Sequence, residues 1–587
     1  MTDVAPARAS APSAPAAAAQ AGLAPGYPVE LDPRRWVALA SVLTAMFMVL
    51  LDVSIVNVAI PAIRQNLHAN NADIQFVVAG YGLAYAVMLI TGGRLGDIFG
   101  RKRLFLIGMA GFTAASALCG LAQSALMLDL SRVFQGLMAA LMYPQVLSMI
   151  QVSFPPHERA KVFGILGAVI GLATIMGPLV GGLIIRDDIT GSSWRWIFLV
   201  NVPIGIAAFI SAVRVASESR APNAKRLDVP GVIIATVGLL LLVYPLVEGQ
   251  VAGWPLWTFI SMGLSPFVLA GFVLYERSLP KTSFPLVELE MFRIRSFRVG
   301  VAISAAFIAG IPSFFFVFSL LLQVGLGFSA LHAGLTTIPF SIGTAVASVM
   351  STRVAPKLGR YTIGIGSLVG VAGMLGIIIT LTLQGTAVSS WELIPAFVVS
   401  GLGLGSVLAP LLNVILAGVP PRDAGSASGV LTTFQQLGGA IGVAVVGVVF
   451  FGLLSSNATT SVNGVTPQLR AQLTAANLPP SVVDQQVATF TRCFVEEAKS
   501  TDPTQPIAGC PSPSAAPQPG NPVSQAFASA AKSALATTFV SSERTILWFN
   551  VGFWALTALL SLLLPRTERR GAPAGAGAPA TAGAGAH

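Results

Sequence analysis

Long apolar runs separated by short polar breaks recur along this 587-residue chain. A helix that crosses a bilayer needs about 20 mostly apolar residues. By that measure the pattern predicts fourteen spans: 36–60, 74–92, 104–123, 126–150, 162–184, 196–213, 229–247, 257–275, 299–322, 333–352, 361–382, 393–417, 429–454 and 545–564. Pro245 and Pro266 interrupt the seventh and eighth, and proline is tolerated in membrane helices. The expected fold class is an all-α polytopic membrane protein with 14 transmembrane helices.

Three segments break the pattern. Residues 1–33 and 566–587 are rich in small residues and proline, which predicts disordered tails. The first tail lacks an apolar h-region, so no cleavable signal peptide is expected. The segment 455–543 is long, polar and rich in Pro, Ala and Ser. The expectation there is a disordered or weakly packed cap.

Composition agrees with the pattern. Hydrophobic residues make up 54% of the chain and charged residues 10%, where a soluble domain carries about 25% charged. Mean hydropathy is +0.77. The net charge of +10 could suggest nucleic acid, but the basic residues sit in short loops between spans. One set of loops holds Arg94, Arg101, Lys102 and Arg103, then Arg159 and Lys161, and later Arg353, Lys357 and Arg360. The intervening short loops are nearly free of them. The positive-inside rule therefore expects both termini in the cytoplasm, a place in the cytoplasmic (inner) membrane, and 455–543 outside. Nucleic acid is not an expected partner. Cys493 and Cys510 share that outer segment, so a disulfide is expected, while Cys119 reads as a packing residue. Metal sites need more ligands than this.

The chain also repeats itself. "GRLGDIFGRKR" (Gly93 to Arg103) follows the second span, and "TRVAPKLGRYT" (Thr352 to Thr362) follows the tenth. "PPHERAKVFG" (Pro155 to Gly164) matches "PPRDAGSASG" (Pro420 to Gly429), in the same order in both halves. The expected organisation is a six-helix bundle at 34–214, a linker with two inserted helices at 215–298, and a second six-helix bundle at 299–565. Such repeats place a transport site near the midplane between the halves.

The polar groups inside the spans are few. Asp52, about 24 Å along the first span, is the one carboxylate placed deep in a span. An intramembrane acid is a functional-site hypothesis by default. Hydrocarbon favours its neutral form, so proton uptake and release near neutral pH are within reach. Ser54 and Asn57 could bond it, and a structural capping carboxylate is the alternative. Arg132 lies near the outer end of the fourth span, one turn after Asp129, and reads from position alone as an interfacial snorkelling pair. Glu248, ending the seventh span, reads as an exposed loop acid. Spans nine to fourteen hold no acid away from their ends; their polar inventory is Gln323, Asn413, Gln435, Gln436 and Asn550. Asn57, Gln135, Gln323, Asn413 and Gln435 are the candidate substrate-cavity residues. Phe314, Phe315, Phe316 and Phe318 fit an aromatic site or lipid-facing packing. No Walker A loop, HExxH or GxSxG occurs, and a membrane aspartyl protease needs a second intramembrane aspartate. An enzyme is not expected.

"GRLGDIFGRKR" resembles the loop motif GxLxDxxGRK of the major facilitator superfamily. "LSRVFQGLMAA" (Leu130 to Ala140) is similar to its fourth-span motif, and "ATIMGPLVGG" (Ala173 to Gly182) to its fifth-span antiporter motif, with Ala173 in place of the first glycine. "LLDVSIVNVAIP" (Leu50 to Pro61) and "WRWIFLVNVPIG" (Trp194 to Gly205) resemble signatures of the fourteen-span drug:proton antiporters. The resemblance implies the major facilitator fold and multidrug-type efflux driven by the proton gradient, with no cofactor. It implies Asp52 and a buried Arg132 in proton coupling. It implies gating by Gly93, Asp97, Gly100, Arg101 and Lys102, and a bendable fifth span at Gly177, Pro178, Gly181 and Gly182. Partners would be a lipophilic or cationic small molecule, protons and the bilayer, with the chain acting as a monomer. A proton-coupled uptake symporter and an exporter of envelope lipid are the alternatives.

Overall fold

The computed structural model describes residues 32–67, 69, 71–187, 193–220, 227–249, 252–280, 285–499, 509–510 and 521–565. The expected tails lie outside these residues, apart from 32 and 33. Among the described residues every regular element is helical. A chain in hydrocarbon must satisfy its backbone internally, and helices do so within one segment.

The first group comprises α1 (Arg35–Leu67), α2 (Asn71–Phe99), α3 (Arg101–Gly120), α4 (Ala125–Ser153), α5 (Pro156–Asp187), and a pair parted at Val200, α6 (Ser193–Leu199) and α7 (Asn201–Val215). Two helices follow that pack on each other, α8 (Val229–Glu248) and α9 (Leu256–Ser278), and α8 also packs against α2. The second group comprises α10 (Arg295–Leu320), α11 (Ala330–Leu358), α12 (Tyr361–Gln384), α13 (Ser390–Ala417), α14 (Ala424–Ala475), α15 (Pro480–Lys499) and α16 (Pro522–Ser561). Eleven helical segments among the described residues are long and apolar enough to cross a membrane.

Local chemistry sets several helix starts. The side chains of Ser124 and Ser329 accept from Met127 N and His332 N, opening α4 and α11. Asp228 caps α8 by accepting from Gly231 N. The repeated loops share one device: Gly100 has φ 109° and Gly359 has φ 55°, a region that side chains disfavour. Each glycine therefore turns the chain sharply between two spans.

The groups meet along two main seams, α5 against α11 and α2 against α14. Glycines let the first seam close. A Cβ on Gly164 would strike Thr352, one on Gly167 would lie 2.9 Å from the Ser348 Cβ, and one on Gly171 would lie 3.2 Å from the Thr344 Cγ2. Small faces of this kind let membrane helices approach closely.

The segment 455–543 differs from the expectation of a disordered or weakly packed cap. Helix α14 runs for 52 residues, about 78 Å, against a hydrocarbon core of about 30 Å. Its far half, α15 and the start of α16 form a three-helix cap. Val465, Leu469 and Leu473 of α14 pack with Val483 and Val487 of α15 and Ala526, Ala530 and Ala534 of α16. Four-residue spacing puts each set on one helix face. Cys493 and Cys510 form the expected disulfide beside this core.

Candidate functional site

Asp52, on α1, is wholly buried, and so are its partners. Arg132 of α4 donates from Nη1 to Asp52 Oδ2 at 2.6 Å. Gln135, one turn later, donates to Asp52 Oδ1 at 2.9 Å and to Ser116 Oγ at 2.7 Å. Asn201, at the start of α7, donates to Asp52 Oδ1 at 3.1 Å. Arg132 also donates to Gln135 Oε1 at 2.6 Å and to Val77 O at 3.0 Å. Its guanidinium lies 4.3 Å from the Tyr81 ring centroid and 5.7 Å from that of Phe198. Two helices, α4 and α7, therefore put three donors on a single carboxylate, and two aromatic rings flank the guanidinium paired with it.

This arrangement removes the snorkelling alternative for Arg132, which is buried as the resemblance implied, and corrects one expectation for Ser54. Arg132 does not snorkel to an interface: its side chain is 2% exposed and its ion pair is with Asp52. Ser54 does not bond Asp52; its hydroxyl donates to Leu50 O and Leu51 O within its own helix. The Asn57 side chain lies outside the described residues. Removing either partner of a buried pair leaves an uncompensated charge, at a cost of about 3–5 kcal/mol.

At the Arg/Lys-rich end a second cluster crosses the seam. Asp97, at the end of α2 and 0% exposed, accepts from Gly425 N at 3.1 Å and Ser426 N at 2.9 Å, both in the first turn of α14. Arg101 donates to Asp97 at 2.7 Å and to Pro421 O at 2.8 Å. Negative charge at a helix N-terminus is favourable. Gly93 lies so close to Gly425 that any side chain there would strike its carbonyl. Gly100 faces Glu218, whose carboxylate accepts from Lys102 N at 3.1 Å and Arg103 N at 3.2 Å and so caps α3. Lys102 also donates from Nζ to Val213 O at 2.8 Å. Nearby, Ser148 Oγ donates to Ala424 O at 3.1 Å, and Gln151 Nε2 donates to Leu416 O and Val419 O. This end of the molecule is closed.

Between the groups lies a cavity of about 180 Å³. Its wall includes Met46 and Leu50 of α1, Tyr143 of α4, Ile170 and Gly171 of α5, and Phe315, Phe340, Ser341 and Thr344 opposite. Gln435 lines it as expected, with Gln436 beside it. The wall contains no charged side chain among the described residues. Gln323 is not there: it is exposed and donates to Ser319 Oγ at 2.7 Å. Asn413 is half-buried and off the wall, and Gln135 belongs to the Asp52 cluster instead. Of the four candidate phenylalanines only Phe315 reaches the cavity; Phe314 and Phe318 stack behind it, centroids 5.2 Å apart.

The fifth-span glycines divide their work. Gly177 is buried against α1, where a Cβ would collide with Ser54 Oγ. Gly182 faces Leu331 of α11, with 3.8 Å between its would-be Cβ and the Leu331 Cα. Gly181 is buried, and the Pro178 side chain lies outside the described residues. Glu248 is half-buried rather than exposed, and burial pushes its carboxyl above the usual range.

Sequence reasoning missed Asn201, Ser116 and Tyr81. A signal for Asn201 existed: it is the only amide in the sixth span and sits in a Val-Asn-Val triplet, as Asn57 does in the first.

Comparison with known proteins gives a consistent picture. The Major Facilitator Superfamily profile matches residues 42–443. The chain is 40% identical over 538 residues to the probable actinorhodin transporter of Streptomyces coelicolor, covering 91% of this chain and 93% of that one. It is 35% identical over 460 residues to the tetracenomycin C resistance and export protein of Streptomyces glaucescens, covering 76% and 80%. Among solved structures it resembles the human organic anion transporter MFSD10 in fold, with TM-score 0.53 at 14% identity, covering 70% and 93%.

Proposed function

The chain belongs to the Major Facilitator Superfamily and is a multi-pass transporter, not an enzyme, and from that premise we propose that it exports lipophilic drugs or natural products in exchange for protons. Relatives named for antibiotic transport and export support the direction of transport. The observation that carries proton exchange is the Asp52–Arg132 pair, because Asp52 sits on the helix that forms part of the cavity wall. Leu50 and Met46, on the same helix as Asp52, line the cavity. Gly177 of α5 packs on Ser54, two residues past Asp52.

Protonating Asp52 removes the charge that holds Arg132 Nη1 and turns an acceptor of three bonds into a weaker one. Helix α1 is then freed from α4 and α7, and its cavity-lining turn can move against α5. Cargo and proton thus favour different states of one helix, which is all that antiport requires. Asp97 and Arg101 would hold the Arg/Lys-rich end shut while the other end opens. By the positive-inside rule that end is cytoplasmic, the membrane is the inner one, and the cap lies outside.

The neutral, aromatic-lined cavity suits a lipophilic aromatic molecule with a few hydrogen-bonding groups. No cofactor enters the scheme, the proton gradient drives it, and one chain suffices. The test is doxorubicin accumulation in everted vesicles with an imposed pH gradient. Counted above vesicles that lack the protein, wild type is expected to accumulate it only with the gradient, and Asp52→Asn to lose that protein-dependent uptake. Equal gradient-driven uptake by both proteins would refute the role of Asp52.

A further inference from the structure

The first group holds one buried acid, Asp52, at the depth of the cavity and in a well-made site. The second group has one too, and it is unpartnered. Glu543 lies in α16, at 0% exposure, and among the described residues neither carboxyl oxygen has a hydrogen-bond partner. Sequence spacing hid it, because the last apolar run begins two residues later.

Its surroundings are fixed by neighbours on either side. One turn earlier, Phe539 packs on Phe450 of α14 at 5.7 Å and against Gly325 in the π-helical turn Leu321–Gly325. Ser542 accepts from Asn457 of α14 at 3.1 Å. Further along, Trp554 packs on Phe307 of α10 at 5.2 Å and against Gly370 of α12.

Among the described residues no charge compensates the carboxyl. The titratable groups on the elements packed against α16 are Arg295 and Arg298 of α10, Tyr361 of α12 and Arg470 of α14. Arg295 bonds Leu563 O at the opposite end of α16, and Tyr361 lies beside Arg360, which bonds Leu562 O there as well. Arg470 pairs with Asp484 in the cap. The π turn and the 3-10 turn Gly385–Ala387 hold none, and on α16 itself Lys532 and Arg544 are exposed. A carboxylate cannot stay ionised in such a place; it holds a proton or the place must open.

A second observation lies on the same face. Asn550, seven residues on and 0% exposed, has both amide atoms unpartnered among the described residues. Seven residues are two turns, about 10 Å. Thr557, another seven on, is also 0% exposed. One face of α16 thus carries a polar stripe inside a packed apolar bundle. Depth also matches: Glu543 lies 18 residues, about 27 Å, from Ser561, and Asp52 lies 17 residues, about 26 Å, from Arg35.

We propose that Glu543 is a second proton-carrying group of the transport cycle, located in the C-terminal group and loaded from the same side of the membrane as Asp52. This rests on the proton-exchange reading above. The proton enters from the medium at the cap end, rides on the carboxyl, and leaves to water when the contacts of α16 with α10 and α14 loosen.

The test has two readouts. In lipid nanodiscs, infrared difference spectra between acid and alkaline pH report the carbonyl band of a buried carboxylic acid. Wild type is expected to show a band that Glu543→Gln lacks and Asp52→Asn retains. In proteoliposomes, the pH gradient that balances an opposing doxorubicin gradient gives the protons moved per molecule, and Glu543→Gln is expected to halve that ratio. Spectra identical in wild type and Glu543→Gln would overturn the proposal, and so would an unchanged ratio. Should Glu543→Gln fail to fold, Glu543→Asp must shift the band, and a band that stays in place overturns the proposal. The infrared readout needs no cargo, so a wild type that moves no doxorubicin counts against the antiport reading alone.

Discussion

Asp97→Ala should release the closed end of the molecule. In the structure Asp97 accepts from Gly425 N, Ser426 N and Arg101, and the first two bonds cross the seam between the groups. Losing the acceptor leaves two backbone N–H groups of α14 unsatisfied in the closed state, each costing about 1–3 kcal/mol. It also strips buried Arg101 of its charge partner. When the seam is open, water satisfies the N–H groups, so only the closed state pays the full penalty. The closed state should therefore lose about 2–6 kcal/mol relative to the open one. That corresponds to at least about a 30-fold shift in their ratio. Spin labels at His157→Cys in α5 and Lys357→Cys in α11, both exposed and at this end, can report it by pulsed dipolar distance measurement. The native thiols do not interfere, because Cys119 is buried and the other two are bonded to each other. A longer distance component should dominate in Asp97→Ala. An unchanged distribution would refute the reasoning and assign closure to the Ser148 and Gln151 contacts instead.

Three further outcomes follow from other contacts. Gly177→Val places a branched side chain against Ser54, so it should destabilise the protein by about 1–3 kcal/mol and abolish efflux, read by thermal unfolding and vesicle transport. Cys510→Ser opens a crosslink between residues 17 apart, so the cap should lose about 3 kcal/mol and α15 should become sensitive to protease. Arg35 donates to Glu158 at 3.1 and 2.9 Å, and this bond holds the Glu158 carboxyl below its usual 4.5. A lowered value means stability that is present above pH 4.5 and lost as pH falls through the folded value. Glu158→Gln should thus unfold slightly earlier than wild type at neutral pH, by up to about 1 kcal/mol, and the difference should vanish in acid.

The membrane architecture was legible because hydrocarbon leaves few options: apolar runs of the right length read directly as helices. Motif glycines were legible for a related reason, since Gly93 and Gly177 sit where another helix leaves no room for a side chain. Partners were harder. Arg132 lies 80 residues from Asp52, and position alone pointed to a snorkelling pair with Asp129. Only the family resemblance suggested a buried role. Asn201 completes the site from a third region of the chain, which periodicity cannot reveal. The cap was misread because its core uses alanines: Ala526, Ala530 and Ala534 look like low complexity until placed against Leu469 and Leu473. Glu543 was missed because hydropathy marks where an apolar run starts, whereas α16 begins 23 residues before that start.

The central claim is that cargo and proton compete through Asp52. Purified protein in weakly buffered detergent, mixed with doxorubicin, tests it most directly through the protons released on binding. The account predicts release by wild type and a clear loss of release in Asp52→Asn that still binds doxorubicin. Binding without proton release in wild type, or undiminished release in Asp52→Asn, would contradict it.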